Sequence, residues 1–539
     1  MGAESAVETV SERSRGLGLG SATAIWIGIA LITAASLDQI FPGIDARFAL
    51  VWGDELAHGD IPNFDQAVPA KHPLTLALGA ILSLAGPTGA RSAYGAISLL
   101  TLFFTVYAAF RLGRAVAGRE AGILAAVLVA LQPTIIIQAA TAGKDLPFVA
   151  LVFMAAALAL EGTERNWARV LGLLGVAGLI RPESWVLAGL YGLWLLWLGP
   201  RRYSRLAVIV LVGLAPLIWV ATDTALTGDP IHTLNHAKEK KALKADEGFS
   251  EPTSGAAPQG FAKYFKGLRL GIPGAIGWPM TIAALLVGGW TLRRARWAEK
   301  PKARDEWVPP PNLKRAPEAA PEYPLIVLIS MVLAGLGFAI LLVIMGLPLV
   351  ERFLLIPALI LLVITATALP RARESGLMAS ALVVGLGGFL FALPVNLAEV
   401  ADTFAAANDA SVDATAVGKL SLNPKVRDTL AECDTVSFGG RSRGKVQLGR
   451  TVVAPELGIP IDQIELRPAP ILRKPGDSAF VYGLNPRSKD LYSDGHASTT
   501  PPFYERVNRW VFASLCTGGH GPAPTSLASR AERSDAKTP

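Results

Sequence analysis

Asp45 stands a few residues beyond an apolar run, Ala22 to Phe41, at the head of an acid-rich segment that reads FPGIDARFALVWGDELAHGDIPNFDQAVPAKHP. A carboxylate held at that depth can take a proton from an acceptor hydroxyl as a general base, and partial burial raises its pKa toward a useful value. Three later turns also carry charge: Lys144 and Asp145 in QAATAGKDLPF, Arg181 and Glu183 in IRPES, and Glu351 with Arg352 in LPLVERF. Arginine grips a phosphate through two parallel N–H bonds, which suits a substrate with a lipid-phosphate head. Lys71 and His72, just before Pro73, are further candidates for substrate contact. Charges at span ends usually snorkel or cap. They point to chemistry only where the elements between them bring them to one face.

Those elements are helices in lipid. Hydrophobic residues make up 51% of the 539 positions and charged residues 17%, too apolar and too charge-poor a composition for a soluble enzyme of this length. Runs near 22–41, 92–110, 121–137, 146–160, 170–180, 184–198, 206–222, 272–292, 324–345, 353–369 and 377–394 are apolar, and most approach the length that crosses ~30 Å of hydrocarbon as helix. The sequence therefore predicts an all-α polytopic membrane protein of about 11 transmembrane helices with added juxtamembrane helices. The run from Leu74 to Ala85 is too short to span, because twelve helical residues cover about 18 Å. It is expected to lie at the interface. With that choice RLGRAVAGRE, TERNWAR, PRRYSR, RRARWAEKPKAR and PRAR all fall on one side, the cytoplasm by the positive-inside rule.

The outer side then receives the loop 42–91, the turns at Lys144, Arg181 and Arg352, the loop 223–271 and everything after Pro394. The expected organisation is a cytoplasmic segment 1–21, a membrane domain 22–394 with a proline-rich cytoplasmic linker 293–323, a small extracytoplasmic α/β domain 395–516, and a disordered tail 517–539. The net charge of +7 comes from clusters that flank spans, so it signals topology rather than nucleic-acid binding. Cys433 and Cys516 both lie in the outer C-terminal segment, where an oxidising exterior permits one disulfide; the sequence leaves their pairing open.

The order of an acidic first outer loop, KHPL before a short helix, RLGRAVAGREAGILAAVLVALQP, Asp145, IRPES and ERFLLIPALILLV resembles the GT-C superfamily of polyprenyl-phosphate-sugar glycosyltransferases, over about residues 20 to 370. The pattern is most similar to bacterial relatives of protein O-mannosyltransferases and aminoarabinose transferases. The resemblance implies inverting transfer of a sugar from a polyprenyl-phosphate donor to a glycan, lipid or protein acceptor outside the inner membrane, with Asp45 as base. It also implies that Asp145 matches a second acidic position and that Arg352 contacts phosphate. Where several relatives have paired acids, Asp45 is followed by Ala46, and the acidic pair comes later, at Asp54 and Glu55, which makes that pair the rival catalytic site. The loop TGDPIHTLNHAKEKKALKADEG falls where the family places a cover for the site, so His232, His236 and Lys238 are candidates for the donor phosphate, together with Lys71, His72, Lys144 and Arg181. A metal is left open: some relatives use a divalent cation and others none. A lipid-linked saccharide flippase or a membrane transporter is the alternative, and a scaffold whose C-terminal domain binds a partner is a third.

Overall fold

A computed structural model describes residues 40–64, 69–197, 204–236, 272–273, 275–298, 323–345, 351–373, 375–440, 443–467, 471–473, 475–483 and 503–516. The first span up to residue 39, Lys238 with the rest of its loop to residue 271, the linker after residue 298 and the tail from residue 517 lie outside the described residues.

Helix α1 (Ile44–Ala57) has Asp45 in its first turn, where the partial positive charge of a helix N-terminus favours a carboxylate. Helix α2 (Pro73–Ser83) opens on Pro73, whose missing N–H costs nothing at a first helical position. The two helices cross at glycines. A Cβ on Gly79 would run into the Ala49 carbonyl, and one on Gly53 into the backbone of Gly79 and Ala80. Gly79→Ala is therefore expected to destabilise the fold by about 1–3 kcal/mol, the usual cost of overpacking. Thermal unfolding of the purified variant checks this, and an unchanged midpoint would show that the crossing is looser than described.

Helix α3 (Gly86–Ala130) is two limbs, because Ala117 and Gly118 leave helical geometry and Gly118 has φ +86°. A Cβ at Gly122 would lie 2.7 Å from the Phe110 carbonyl oxygen, whereas twelve residues of straight helix would separate them by about 18 Å. The chain therefore doubles back at RLGRAVAGRE. After α4 (Pro133–Ala140) come α5 (Asp145–Glu161), α6 (Thr163–Ile180), α7 (Glu183–Trp197), α8 (Arg205–Thr227), α9 (Trp278–Ala298), α10 (Tyr323–Ile344) and α11 (Leu355–Ala366). Every residue of α11 is buried, and it forms the middle of the bundle's apolar core.

Five helices among the described residues are long and apolar enough to cross a membrane: Gly86–Ala130, Arg205–Thr227, Pro324–Ile344, Arg352–Arg371 and Gly376–Ser421. The chain is a multi-pass membrane protein. The expected first run, 22–41, lies almost wholly outside the described residues, the two limbs of α3 run as one element, and α5 and α7, though apolar and packed in the same core, have only 17 and 15 residues.

Helix α12 (Gly376–Ser421) runs unbroken through Pro394, so the boundary expected there falls inside a helix. It packs on α9 in the bundle and on α14 in the C-terminal unit. That unit comprises α13 (Pro424–Ala431), β1 (Thr435–Gly440), α14 (Arg443–Leu457), β2 (Ile464–Leu466), β3 (Asp477–Tyr482), β4 (Phe503–Val507) and β5 (Trp510–Ser514). The strand order is β2-β1-β3-β5-β4, with parallel pairs about β1 and antiparallel pairs β3–β5 and β5–β4. Strands β4 and β5 form a hairpin turned at Asn508 with φ +57°. Cys433 and Cys516 are joined by a disulfide. The unit's core is continuous with α1, since Phe48, Val51 and Trp52 share one apolar cluster with Val446, Val452, Ile461 and Trp510.

Candidate active site

The backbone leading into α1 is tied to the turn after α4: Phe41 N donates to the Ala140 carbonyl at 3.2 Å and Gly43 N to that of Thr141 at 2.7 Å. Ala142, in the same turn, holds φ +48°, a conformation that costs a non-glycine residue energy and persists only where its surroundings enforce it. These contacts set Asp45 against Lys144. Lys144 Nζ lies 2.7 Å from Asp45 Oδ2, and Arg352 Nη1 lies 3.6 Å from the same oxygen. Lys144 also donates to His72 Nε2 at 2.6 Å. Asp45 is half-buried and Lys144 buried, while 44% of the Arg352 side chain is open.

Burial disfavours the Asp45 charge, but Lys144, hydrogen-bonded to it, and then Arg352 outweigh that and hold the carboxyl well below the usual range. The raised pKa expected from burial alone is thus reversed, because two cations share one carboxylate oxygen. With its pKa depressed, the Asp45 pair contributes stability above the unfolded value of 3.8, and that contribution is lost only as pH falls through the lower folded value. Asp45 stays ionised at neutral pH. Burial, with Lys144 adding to it, pushes His72 well below its ordinary value, so its ring is neutral and Nε2 accepts from Lys144.

A second network lies beside the first. Lys71 Nζ sits 3.3 Å from Asp223 Oδ1 and 2.9 Å from His232 Nδ1. His236 stacks on His232 with ring centroids 5.7 Å apart. Asp223 also accepts from Thr233 N and Oγ1, each at 2.9 Å, tying the turn after α8 to the KHP segment. A third network pairs Arg181 with both Asp145 and Glu183. Arg181 is buried between the rings of Phe148 and Phe353, 5.3 and 5.1 Å from its guanidinium carbon, and Arg352 lies 5.8 Å from the Phe353 ring.

Arg352 also opens onto apolar space. With Glu183, Phe338 and Phe353 it lines a small cavity that shares Leu187, Met331 and Ala334 with a groove of about 310 Å³. The groove extends to Tyr191 and Trp194, and its own lining carries no charged side chain; Arg352 and Glu183 line the smaller cavity beside it. From Glu183 to Trp194 along α7 is about 16 Å.

Among solved structures, ArnT from Cupriavidus metallidurans bound to undecaprenyl phosphate aligns over 94% of this chain and 100% of its own, with 15% identity and a TM-score of 0.50. The fold is GT-C-like. The oligosaccharyltransferase of Archaeoglobus fulgidus, in complex with zinc and sulfate, aligns over 82% of this chain and 64% of its own at 13% identity and a TM-score of 0.44. No protein-family profile matches the chain, nor does any curated protein. At such identities the likeness is one of fold, and the chemistry rests on the residues.

Within the GT-C-like frame, Asp45, Lys71, His72, Lys144 and Arg352 lie together, with His232 and His236 against Lys71. Asp145 and Arg181 neutralise each other under the site instead of facing open space. The rival pair turns away from Asp45: Asp54 faces His58 at 3.6 Å, and Glu55 accepts from Ile461 N of the C-terminal unit at 2.6 Å. Asp223 was overlooked. Its signal was the one that marked Asp45, a carboxylate at the end of an apolar span. Among the described residues, no group of three His, Cys, Asp or Glu side chains is placed to hold a metal.

Burial pushes Glu55 from 4.5 up to about 7; Asp462 and Asp54 add to this, while the Ile461 N–H and Arg450 oppose it. Because the folded value exceeds the unfolded one, this protonated group contributes stability below pH 4.5 that is lost as pH rises through 7, up to about 3 kcal/mol. The thermal midpoint is expected to fall between pH 5 and pH 8, and Glu55→Gln to flatten that fall. Identical profiles for wild type and variant would contradict it.

Proposed function

We propose that the protein is a membrane glycosyltransferase that moves a sugar from a polyprenyl-phosphate donor to an acceptor hydroxyl outside the cytoplasmic membrane. The observation that carries this reading is Arg352, one side chain that reaches the Asp45 carboxylate and lines a small cavity adjoining an uncharged apolar groove. A phosphate with a long isoprenoid tail matches that combination, a cationic head site opening on lipid-like space. The fold shared with ArnT supports the same class of donor, and the Cys433–Cys516 disulfide supports an oxidising compartment for the C-terminal unit.

In the proposed reaction the acceptor hydroxyl gives its proton to Asp45, and its oxygen bonds to the anomeric carbon from the face opposite the phosphate. The carbon–oxygen bond to polyprenyl phosphate breaks, and the phosphate keeps the electron pair beside Arg352 and Lys144. In the resting protein these two cations make Asp45 a weak base. A bound donor phosphate competes for both, which releases the carboxylate as a stronger base when acceptor and donor are together. Lys71 and the His232–His236 turn stand ready as further phosphate contacts, and the buried Asp145–Arg181–Glu183 set supports the floor.

The protein in vesicles, given radiolabelled polyprenyl-phosphate sugar and an envelope extract as acceptor, is expected to release polyprenyl phosphate and label the acceptor. Movement of intact donor across the bilayer with no bond broken would make it a flippase instead.

A further inference from the structure

We infer that the C-terminal unit is part of the catalytic apparatus, holding the helix that bears Asp45, and that Glu55 is the positioning residue at that seam. The inference rests on the reaction proposed above for its kinetic readout only.

Helix α1 is a single 14-residue rod with Asp45 in its first turn and Glu55 in its last. Ten residues of helix separate the two by about 15 Å, so Glu55 is out of reach of a reaction at Asp45. What it does touch is the C-terminal unit. Ile461 N donates to Glu55 Oε1 at 2.6 Å, and the carbonyl of the same residue accepts from Arg450 Nε of α14 at 2.9 Å. Ile461 is thereby clamped between α1 and α14. At the other end of the rod, Arg47 Nη1 donates to Thr451 Oγ1 of α14 at 3.2 Å, and Arg91 of α3 pairs with Glu456 at 3.3 Å. Between these polar contacts Phe48, Val51 and Trp52 sit in the C-terminal unit's own core.

On its other side α1 is pressed backbone to backbone against α2 at Gly53 and Gly79. A rod gripped on two sides shifts as a body, so loosening the Glu55 end displaces Asp45 relative to Lys144 and Arg352. Displacements of about 1 Å at a reacting group cost on the order of 10²-fold in rate. A nearly buried carboxyl that bonds a backbone amide has a structural partner to keep, which gives a reason for an acid here that general-base chemistry does not.

The intact protein carrying Glu55→Ala or Glu55→Gln tests this by hydrogen exchange and single-turnover transfer. Glu55→Ala is expected to raise exchange of segments 44–57 and 459–467 together, and to lower turnover at least about tenfold with the donor KM within about twofold. Glu55→Gln still accepts the Ile461 bond and is expected to stay within about threefold of wild type. Unchanged exchange in Glu55→Ala overturns the inference. So does a Glu55→Gln protein with native exchange but no turnover, which would make Glu55 a chemical group. If Glu55→Ala does not fold, Thr451→Val reads the same seam and is expected to raise exchange in 44–57; no rise overturns the inference. Absence of transfer by wild type would sink the proposed reaction alone, leaving exchange to decide the positioning role.

Discussion

Asp45→Asn is expected to lower single-turnover transfer by about 10²–10⁴-fold, the range over which a positioned base acts, with the donor KM little changed. Asparagine fills the same volume but cannot take the proton. The loss extends beyond the base itself, because Lys144 is buried and has its charge partner in Asp45. Burial already lowers the Lys144 pKa, and without the carboxylate its proton is held less firmly, so the variant loses part of its phosphate-binding charge at raised pH. His72 still accepts from Lys144, which keeps the side chain in place and the protein folded. Turnover within threefold of wild type would remove Asp45 from the chemistry.

Arg352→Ala is expected to weaken binding of unsubstituted polyprenyl phosphate by about 10–100-fold, since a hydrogen bond to a charged group contributes about 1.5–3 kcal/mol. Of the three cations nearest Asp45 and the groove, Arg352 alone is both substantially open and in the lining of the cavity that adjoins the groove; Lys144 and Arg181 are buried. Arg181→Ala is expected to act differently, exposing Asp145 and Glu183 as uncompensated buried acids and destabilising the bundle. Calorimetric binding and thermal unfolding separate the two outcomes. An Arg352→Ala protein that binds polyprenyl phosphate as tightly as wild type would place the head site elsewhere.

Much of this site was legible in the sequence because membrane spans force charge to their ends. Asp45, Lys144 and Arg352 each terminate an apolar run, and an even-handed count of basic loops puts them on one face. Distance along the chain hid the partnerships: 99 residues separate Asp45 from Lys144, and nothing local indicates that their charges meet on one oxygen. The sign of the Asp45 shift was therefore invisible, since burial can be guessed from a segment but neighbours cannot. Asp54 and Glu55 are the rival site because several relatives pair their acids in this loop, and only the C-terminal unit explains where Glu55 points. Helix α14, the element on which α1 rests, lies in a stretch of the α/β unit that the sequence reading does not divide into elements. The composition turns soluble after Pro394, yet α12 continues through it, packing on α9 in the bundle and on α14 in the C-terminal unit.

Photolabelling with a polyprenyl phosphate that bears a diazirine in its first isoprene units tests most directly whether the charged cluster and the apolar groove form one donor site. Labels are predicted on Leu187, Tyr191 and Met331, lost in Arg352→Ala and competed by unlabelled polyprenyl phosphate. Labels confined to outward faces such as Leu217 of α8 or Phe391 of α12, indifferent to Arg352, would contradict it.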